Sequence, residues 1–529
     1  MRKILARANK SISVALAAWL LAGSSLISSG LGLFRERLLY ANFDISAAVD
    51  AYKVAFTIPD FMFFILVSGA LSVSFIPVFN ERLAKGNKKS AWELSSSLIN
   101  FLAIITLVAS ILIIIFADPL VRYVVGPGLD EQTTFLAVSM MRIIAVNPFL
   151  FAISSVLTSM QQAVGRFFFF ALAPSIYSLG IMIGIQFLSP HIGIMGVAYG
   201  VVIGSVLQLL AAALGMWNLG FDYKSKIFWR NLGFRKVLSL LPARSFDQGI
   251  DYFNTLVEIN LASRLRSGAI ASYTLATTLH FVPITLIGVA ISTAAFPKMT
   301  ERLAQGRVDL FRQELQAILR VIIWLALPTA VIAFFCRGYL VRLLLANGNA
   351  TVAALLGLLV VAILFRSIYH IASRSFYAQQ DTRTPLYISI AAIGLNIALA
   401  ILLAQPENFG IYGLAIAQSI VAVFEVVILF IILSRRFPGL LNLEFTNAVI
   451  RMASSAGLMG IFTYIFVSFM LPLRLTDTGF MVLVPKFALI VALSLVIYFA
   501  FSALFRLTEV QPVLERLLTM VYRQHKVKE

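Results

Sequence analysis

Apolar runs of about 20 residues recur from end to end of this chain, and that is the length at which an α-helix crosses the hydrocarbon core of a membrane. Hydrophobic residues make up 60% of the 529 residues and charged residues only 12%, about half the charged fraction of soluble proteins. No polar stretch between the runs is long enough to fold as a separate soluble domain. Because lipid leaves no backbone polar group unpaired without cost, the pattern predicts an all-α polytopic membrane protein.

The runs predict about fourteen transmembrane helices. We place them at about residues 12–33, 54–79, 95–117, 134–160, 167–188, 193–217, 237–262, 268–296, 315–336, 352–373, 384–404, 410–433, 446–471 and 481–505. With the N-terminus inside, about 27 lysines and arginines fall in cytoplasmic segments and about 8 in external ones, as the positive-inside rule requires. The charge pattern therefore predicts an inner-membrane protein with both termini cytoplasmic.

The net charge of +18 needs no nucleic acid to explain it, because the basic residues flank membrane spans. Residues 221–236 and the tail 507–529 mix bulky apolar with basic residues, which favours interfacial amphipathic helices on anionic membrane lipid. The single cysteine, Cys336, excludes an intrachain disulfide and any cysteine-based metal site.

An internal duplication organises the chain. The segment Ala70 to Gly86 matches Ala290 to Gly306 at eight of seventeen positions with an offset of 220. The glutamine pair at 161–162 matches the pair at 379–380, and GIMGVA from Gly193 matches GIYGLA from Gly410. An offset of six spans predicts two lobes of parallel topology with a substrate cleft between them.

The predicted domains follow from this duplication. They are an N-lobe at 1–220, an amphipathic cytoplasmic linker at 221–236, a C-lobe at 237–436, a C-terminal helix pair at 437–506 and a basic tail at 507–529. Rocking of one lobe against the other would give alternating access.

Several motifs are more specific than hydrophobic pattern. They are LGLFRERLL from Leu31, VDAYKVAFTIPDF from Val49, SGALSVSFIPVF from Ser68, the stretch MRIIAVNPFLF to SLGIMIG from Met141, and SFYAQQDTRTP from Ser375. With these motifs the chain resembles the MurJ (MviN) lipid II flippases of the multidrug/oligosaccharidyl-lipid/polysaccharide exporter superfamily. The resemblance implies a transporter that moves the undecaprenyl-pyrophosphate-linked peptidoglycan precursor to the outer leaflet. It also implies two extra C-terminal helices that form a groove for the lipid tail.

The resemblance carries over to individual positions. Family members place cavity arginines at positions that correspond here to Ser29, Arg35, Phe63 and Thr278. Of these four positions, only position 35 holds an arginine in this chain. Two family acids correspond to Phe281 and Ser68, whereas acids are kept at Glu36 and Asp50. The resemblance therefore implies that Arg35 is the principal cation for the substrate phosphate, with Glu36 and Asp50 beside it.

Span 7 is unusually charged. Arg244, Asp247, Asp251 and Glu258 lie at spacings that bring them near one face of a helix. An ion inside a membrane normally faces a cavity or a partner. Arg244 is thus a candidate substrate ligand, and Asp247, Asp251 and Glu258 are candidates for coupling and gating. A structural ion pair between Arg244 and Asp247 is the alternative.

Two other places add candidate substrate ligands. Asp50 and Lys53 are three residues apart at the start of span 2, where a structural pair is as plausible as a site. Arg366 in span 10 is a candidate cation of the cleft.

No P-loop, zinc-protease motif or dinucleotide fingerprint occurs in the chain, so no cofactor or metal is expected, and an ion gradient or the membrane potential should drive transport. Three other functions stay open. They are a flippase for another polyprenyl-linked glycan or a drug/cation antiporter of the same superfamily, a membrane enzyme that acts on undecaprenyl carriers, and a scaffold without transport. The connections carry too few acids to favour the enzyme.

Overall fold

The computed structural model describes residues 14–68, 75–474, 476–477, 479–511 and 515, without the side chains at 14–19, 22, 68 and 241–251. Throughout these ranges the regular structure is helical and no strand occurs. The chain forms two compact units, Met1–Ala271 and Ser272–Glu529. This boundary lies inside a helix, whereas the boundary predicted from the duplication lies at 236/237; the predicted domains describe the repeat and stay a prediction.

Unit 1 contains ten helices within its described residues. They are α1 Val14–Phe43, α2 Ala47–Phe63, α3 Ile76–Ala84, α4 Lys88–Pro119, α5 Glu131–Ile144, α6 Asn147–Ala163, α7 Phe168–Ile183, α8 Ser189–Ile192, α9 Met195–Gly215 and α10 Leu232–Ser263. Wider π-helical turns extend three of them, α2 by Phe64–Ser68, α4 by Leu120–Val125 and α7 by Gly184–Leu188. A buried core that includes Phe75, Phe79, Leu94 and Leu98 packs α4 against its neighbours.

Unit 2 follows from within α11, which spans Ala269–Pro283. The later helices are α12 Ala290–Ala304, α13 Val308–Phe335, α14 Arg337–Leu344, α15 Ala350–Ala378, α16 Arg383–Leu403, α17 Ile411–Arg436, α18 Leu443–Ile465 and α19 Phe480–Leu504. Wider π-helical turns extend α11 by Ile284–Val289 and α18 by Phe466–Met470. A buried core that includes Phe311, Leu315, Met452 and Tyr498 joins α13 to the C-terminal helices α18 and α19.

In the part of the chain that the structure describes, a helix lies at each of the fourteen predicted spans. Within the described residues, eleven helices are long and apolar enough to cross a membrane. The helices at predicted spans 1, 2 and 7, which are α1, α2 and α10, are not among the eleven. The all-α multi-pass architecture is therefore confirmed, and the number fourteen stays a prediction.

The duplicated segments end in the same way. After α3, Gly86 adopts a φ of 72° and its N–H donates to the carbonyl of Leu83 at 3.0 Å; after α12, Gly306 adopts 70° and donates to Leu303 at 3.0 Å. A left-handed φ favours glycine, which explains why this residue recurs. The wider turns at Phe64–Ser68 and Ile284–Val289 also lie at the offset of 220.

The glutamine match is different. At the end of α6 the residue with positive φ is Gly165, and at the end of α15 it is Gln380. The two helix ends are thus equivalent at an offset of 215, and the glutamine pairs do not occupy equivalent places in them.

The prediction of a helix over 221–236 is wrong for the first part of this range. Residues 221–231 run as an irregular segment, and α10 begins at Leu232. Side chains of α4 bind the backbone of this segment, which removes the need for helical hydrogen bonds. Most of the tail predicted at 507–529 lies outside the described residues; its start forms a short 3₁₀ turn at Thr508–Val510.

Candidate functional site

A buried carboxylate between two cations is the most distinctive polar feature of unit 1. Oε1 of Glu36 accepts a hydrogen bond from Arg35 at 2.9 Å, and Oε2 accepts one from Nζ of Lys53, also at 2.9 Å. Glu36 is buried, while Arg35 and Lys53 are partly exposed. We call these three residues the Glu36 cluster. It carries one cation more than it carries anions.

Helices α1 and α2 position this cluster. Lys53 lies in the second turn of α2, and its ammonium is 5.9 Å from the ring of Tyr40 and 5.8 Å from the ring of Tyr52. Aromatic faces attract a cation at such distances and narrow the directions in which it moves. Among the described residues, Glu36 is the hydrogen-bond acceptor for both Arg35 and Lys53, so the other N–H groups of Arg35 remain available.

Asp50 does not pair with Lys53. Its carboxylate accepts the backbone N–H of Gly268 at 2.6 Å and that of Ala271 at 2.7 Å. Asp50 is fully buried and fixes the start of α11. The structure thus separates Asp50 from the Glu36 cluster and gives it a structural contact.

Apart from Arg35, the positions that hold arginine in the resembled family carry no charge here. Phe63 packs its ring against Phe151 at 5.5 Å between centroids. The hydroxyl of Thr278 donates to the carbonyl of Thr274 in its own helix at 2.7 Å. Ser29 is exposed on α1. Arg35 and Lys53 are therefore the cations that the described part of α1 and α2 brings together.

The candidates of span 7 lie on α10. The side chains of Arg244, Asp247 and Asp251 are outside the described residues. Glu258 is 5% exposed and accepts a hydrogen bond from Nδ2 of Asn254 at 3.1 Å. The structure therefore places Glu258 as a buried acid with an amide neighbour.

Arg366 forms an ion pair in unit 2. Its Nη1 lies 2.6 Å from Oε2 of Glu425, which is buried on α17. The guanidinium is 5.8 Å from the ring of Tyr369, whose hydroxyl lies 3.1 Å from that of Ser389. Arg366 is thus paired within its own unit.

Sequence reasoning missed two acids. Glu425 is the partner of Arg366, and Asp60 sits half-buried on α2 beside Pro59. A lone acid within an apolar span is itself a signal of function, and it was present at both positions.

The chemistry of the Glu36 cluster suits a phosphate group. Arginine and lysine in a low-dielectric site bind phosphate oxygens through charge-assisted hydrogen bonds, and arginine does so with two N–H groups at once. Within the described ranges, no group of three or more His, Cys, Asp and Glu side chains is placed to hold a metal ion.

Membrane-spanning helices in two units that share repeated turns, with charged residues buried inside them, define a polytopic membrane transporter. The family model for lipid II flippase MurJ matches residues 41–498, and the chain therefore belongs to the MurJ lipid II flippase family.

Individual relatives agree with this assignment. A probable lipid II flippase MurJ from Bdellovibrio bacteriovorus is 29% identical over 437 residues, which cover 80% of this chain and 82% of the relative. A solved structure of lipid II flippase MurJ in an inward closed conformation has a TM-score of 0.78 at 24% identity and covers 92% of this chain and 98% of that one. An inward-facing multidrug resistance MATE transporter of the MOP superfamily shares the fold, with a TM-score of 0.67 at 15% identity, over 78% of this chain and 95% of that one.

Proposed function

We propose that this chain carries lipid II from the inner to the outer leaflet of the bacterial plasma membrane. It is a transporter and not an enzyme. The observation that carries the assignment is the match of the lipid II flippase family over residues 41–498. The recurrence of the same helix ends in both units supports alternating access as the mode of transport.

The Glu36 cluster supplies the contact to the pyrophosphate. Glu36 pairs with both Arg35 and Lys53, at 2.9 Å each. A pyrophosphate that enters competes with this single carboxylate for both cations, and it offers more oxygens and more charge than Glu36 does. Binding and release of substrate thus correspond to an exchange of partners, and the cluster never leaves a cation unpaired in a low-dielectric site.

Family members have arginines at the positions of Ser29, Phe63 and Thr278, and this chain does not. Lys53 supplies a cation in their place. The loss of these arginines is the observation that favours the competing function, a flippase for another polyprenyl-linked glycan or a drug/cation antiporter. The two functions differ in whether lipid II itself reaches the outer leaflet.

Transport is driven by an ion gradient or by the membrane potential, with Asp251 and Glu258 on α10 as the acids that handle the coupling ion. Arg244 and Asp247 form a gate pair nearer the cytoplasmic end of this helix. The burial of Glu258 next to Asn254 supports this proposal. Asp251→Asn and Glu258→Gln preserve shape and hydrogen bonding but cannot titrate. Normal transport by both variants from pH 6 to pH 8 would show that these acids are structural.

The decisive experiment replaces the lipid II flippase of a host cell. The native flippase is depleted, this chain is expressed, and the lipid II accessible on the outer leaflet is measured. We expect restoration by the wild type and loss of export in Arg35→Ala and in Lys53→Ala, with Lys53→Arg retaining most of it. Lys85→Ala is the matched control, because Lys85 forms an exposed pair with Glu81 at 2.7 Å outside the cluster.

The outcomes separate the proposals. No lipid II on the outer leaflet with normally expressed wild-type chain would favour the competing substrate. Unchanged export in Arg35→Ala and Lys53→Ala would leave the family function intact and remove the Glu36 cluster from it.

A further inference from the structure

The connection between α9 and α10 is fastened along α4 by side chains. We call residues 221–231 the basic connection. Nδ2 of Asn100 donates to the carbonyl of Lys224 at 2.8 Å and to that of Lys226 at 3.1 Å. Ser96 accepts the N–H of Lys224 at 3.1 Å, and Ser97 accepts the N–H of Phe228 at 2.8 Å. These bonds give a segment without helix or strand a fixed path, so the groups it presents are preorganised.

A depression of about 850 Å³ opens between the basic connection and the start of α4. Its charged lining consists of Arg82, Lys89, Glu93 and Arg230. The guanidinium of Arg82 hydrogen-bonds Ser90, whereas the side chains of Lys89 and Arg230 form no ion pair or hydrogen bond with the described residues. Three cations face one carboxylate, so the depression attracts anions.

Aromatic groups at the same place fit the membrane interface. Trp229 is 53% exposed, yet its ring lies edge-on to Phe101 at 6.0 Å and to Phe234 at 5.5 Å between centroids. Tyr223 is 52% exposed, and its hydroxyl donates to Asn100 at 2.6 Å. Tryptophan and tyrosine held in this way are typical of the headgroup level of a bilayer.

Unit 2 contains the equivalent connection, but without basic residues within the connecting segment itself. Between α17 and α18 the chain runs along α13, where Arg312 donates to the carbonyl of Pro438 at 2.8 Å and Gln316 donates to that of Leu440 at 2.7 Å. The segment 437–442, FPGLLN, has no basic residue. The packing of such a connection therefore does not require a cationic depression, and the charge in unit 1 needs another explanation.

We propose that this depression binds the phosphate headgroup of an anionic phospholipid. Lys89 and Arg230 contact the phosphate, Trp229 packs beside the glycerol region, and the acyl chains continue into the bilayer along α4. The site is distinct from the Glu36 cluster and does not rest on the substrate of transport. Its effect is to anchor the junction of α9 and α10 to lipid of one charge class.

The test is native mass spectrometry of the purified full chain titrated with phosphatidylglycerol or with phosphatidylcholine. Both lipids carry a phosphate, but only phosphatidylglycerol has a net negative charge. We expect the wild type to prefer phosphatidylglycerol. Loss of two headgroup cations in Lys89→Gln with Arg230→Gln should weaken the tightest phosphatidylglycerol binding by about thirtyfold. The exchange Lys89→Arg with Arg230→Lys should keep it.

The matched control is Arg302→Gln with Arg307→Gln. It removes the same charge from the end of α12 and the turn that follows it in unit 2, which are equivalent to the end of α3 and its turn, and it should leave the tightest binding unchanged. Equal losses in the control and the site variant, or equal binding of both lipids by the wild type, would overturn the proposal. Thermal unfolding without added lipid checks that the site variant is folded. If the site variant loses binding of undecaprenyl pyrophosphate but not of phosphatidylglycerol, the depression is a substrate site and the proposal is wrong.

Discussion

Asp381 fastens the short turn between α15 and α16. Oδ1 accepts the backbone N–H groups of Arg383 at 3.1 Å and Thr384 at 3.0 Å, and Oδ2 accepts the hydroxyl of Thr384 at 2.7 Å and a guanidinium N–H of Arg436 at 2.7 Å. Burial acts to raise the pKa of Asp381, but the hydrogen bonds from Thr384 and the charge of Arg436 outweigh it and lower the pKa to about 2. The ionised carboxylate is therefore the form that stabilises this turn.

We expect Asp381→Asn to lower the stability of the chain by about 0.5–1 kcal/mol at pH 7, because the amide keeps much of the hydrogen bonding and loses the charge. A carboxyl group whose pKa is lower in the folded state stabilises it above the unfolded pKa, and this contribution disappears as the pH falls towards the folded value. The difference between wild type and variant should thus shrink from about pH 4 down to about pH 2. Midpoints of thermal unfolding in detergent at several pH values measure it.

Asp309→Asn serves as the control. Asp309 pairs with Arg312 at 3.2 Å but is highly exposed, and an exposed pair of this kind contributes little. A loss in Asp381→Asn that stays the same from pH 7 to pH 2 would show that the charge of Asp381 does not stabilise the turn.

The partners of charged residues could not be predicted from the sequence where they lie on another helix. The spacing of Asp50 and Lys53 suggested a pair, yet Lys53 binds Glu36, seventeen positions earlier on another helix. Asp50 binds backbone near residue 270, more than 200 positions later. Helical spacing predicts contacts between side chains three or four residues apart on one helix. It carries no information on which helices meet. Charged residues were found from the sequence; their partners were not.

Glycines form a seam where α7 and α9 touch. A Cβ atom added at Gly200 would lie 2.6 Å from the Cα atom of Gly184, and one added at Gly184 would lie 2.5 Å from the Cα atom of Gly200. Such distances leave no room for a methyl group between two backbones. Small residues four apart on membrane helices allow this close approach, which van der Waals contacts stabilise.

We expect Gly200→Ala to destabilise the chain by about 1–3 kcal/mol, because two backbones have to move apart. Gly394→Ala is the matched control: Gly394 also lies inside a membrane helix, α16, and a Cβ atom there would meet nothing within 4 Å. Alanine is the better helix former, so the control should be neutral or slightly stabilising. Midpoints of thermal unfolding compare the two variants. Equal midpoints would show that the two helices move apart without loss of stability.

Helices were predictable as elements since each apolar run is long enough to span a membrane and must satisfy its own hydrogen bonds. The end of α3 was also visible, because Gly86 recurs at Gly306. The irregular structure of the basic connection was not predictable from the sequence. Its composition fits an amphipathic helix, but Ser96, Ser97 and Asn100 bind its backbone instead. A contact with a helix about 120 positions away overrode the local pattern.

At the scale of the whole molecule, the duplication is the feature that the sequence revealed best. Both repeats end in the same backbone hydrogen bonds. The N–H of Asn87 donates to the carbonyl of Arg82 at 3.0 Å, and the N–H of Arg307 donates to the carbonyl of Arg302 at 3.0 Å. The helix end after α3 in unit 1 and the helix end after α12 in unit 2 therefore have the same structure. The place where the chain divides into compact units was less visible, because it depends on how α10 packs and not on where the repeat begins.

Topology is the property of the whole molecule that the charge pattern predicts. Lys88 starts α4, and the helix with its wider turn continues to Val125, a length of 38 residues. At 1.5 Å per residue this is about 57 Å, more than the thickness of a bilayer with its headgroups. We therefore expect its two ends to emerge on opposite sides, and the positive-inside rule predicts that the lysine-rich turn before α4 lies in the cytoplasm.

Labelling of single cysteines tests this orientation. Cys336 is buried and is first replaced by alanine to remove any background. Lys88→Cys and Gln132→Cys then place one exposed thiol at each end of the predicted span; Gln132 is chosen because its neighbour Asp130 caps α5 through the N–H of Thr133 at 3.2 Å. A membrane-impermeant maleimide should label position 132 in intact spheroplasts and position 88 only after lysis. Labelling of both positions before lysis would contradict a single crossing by α4, and the reverse pattern would place the basic connection on the external side and invert every segment assigned to the cytoplasm.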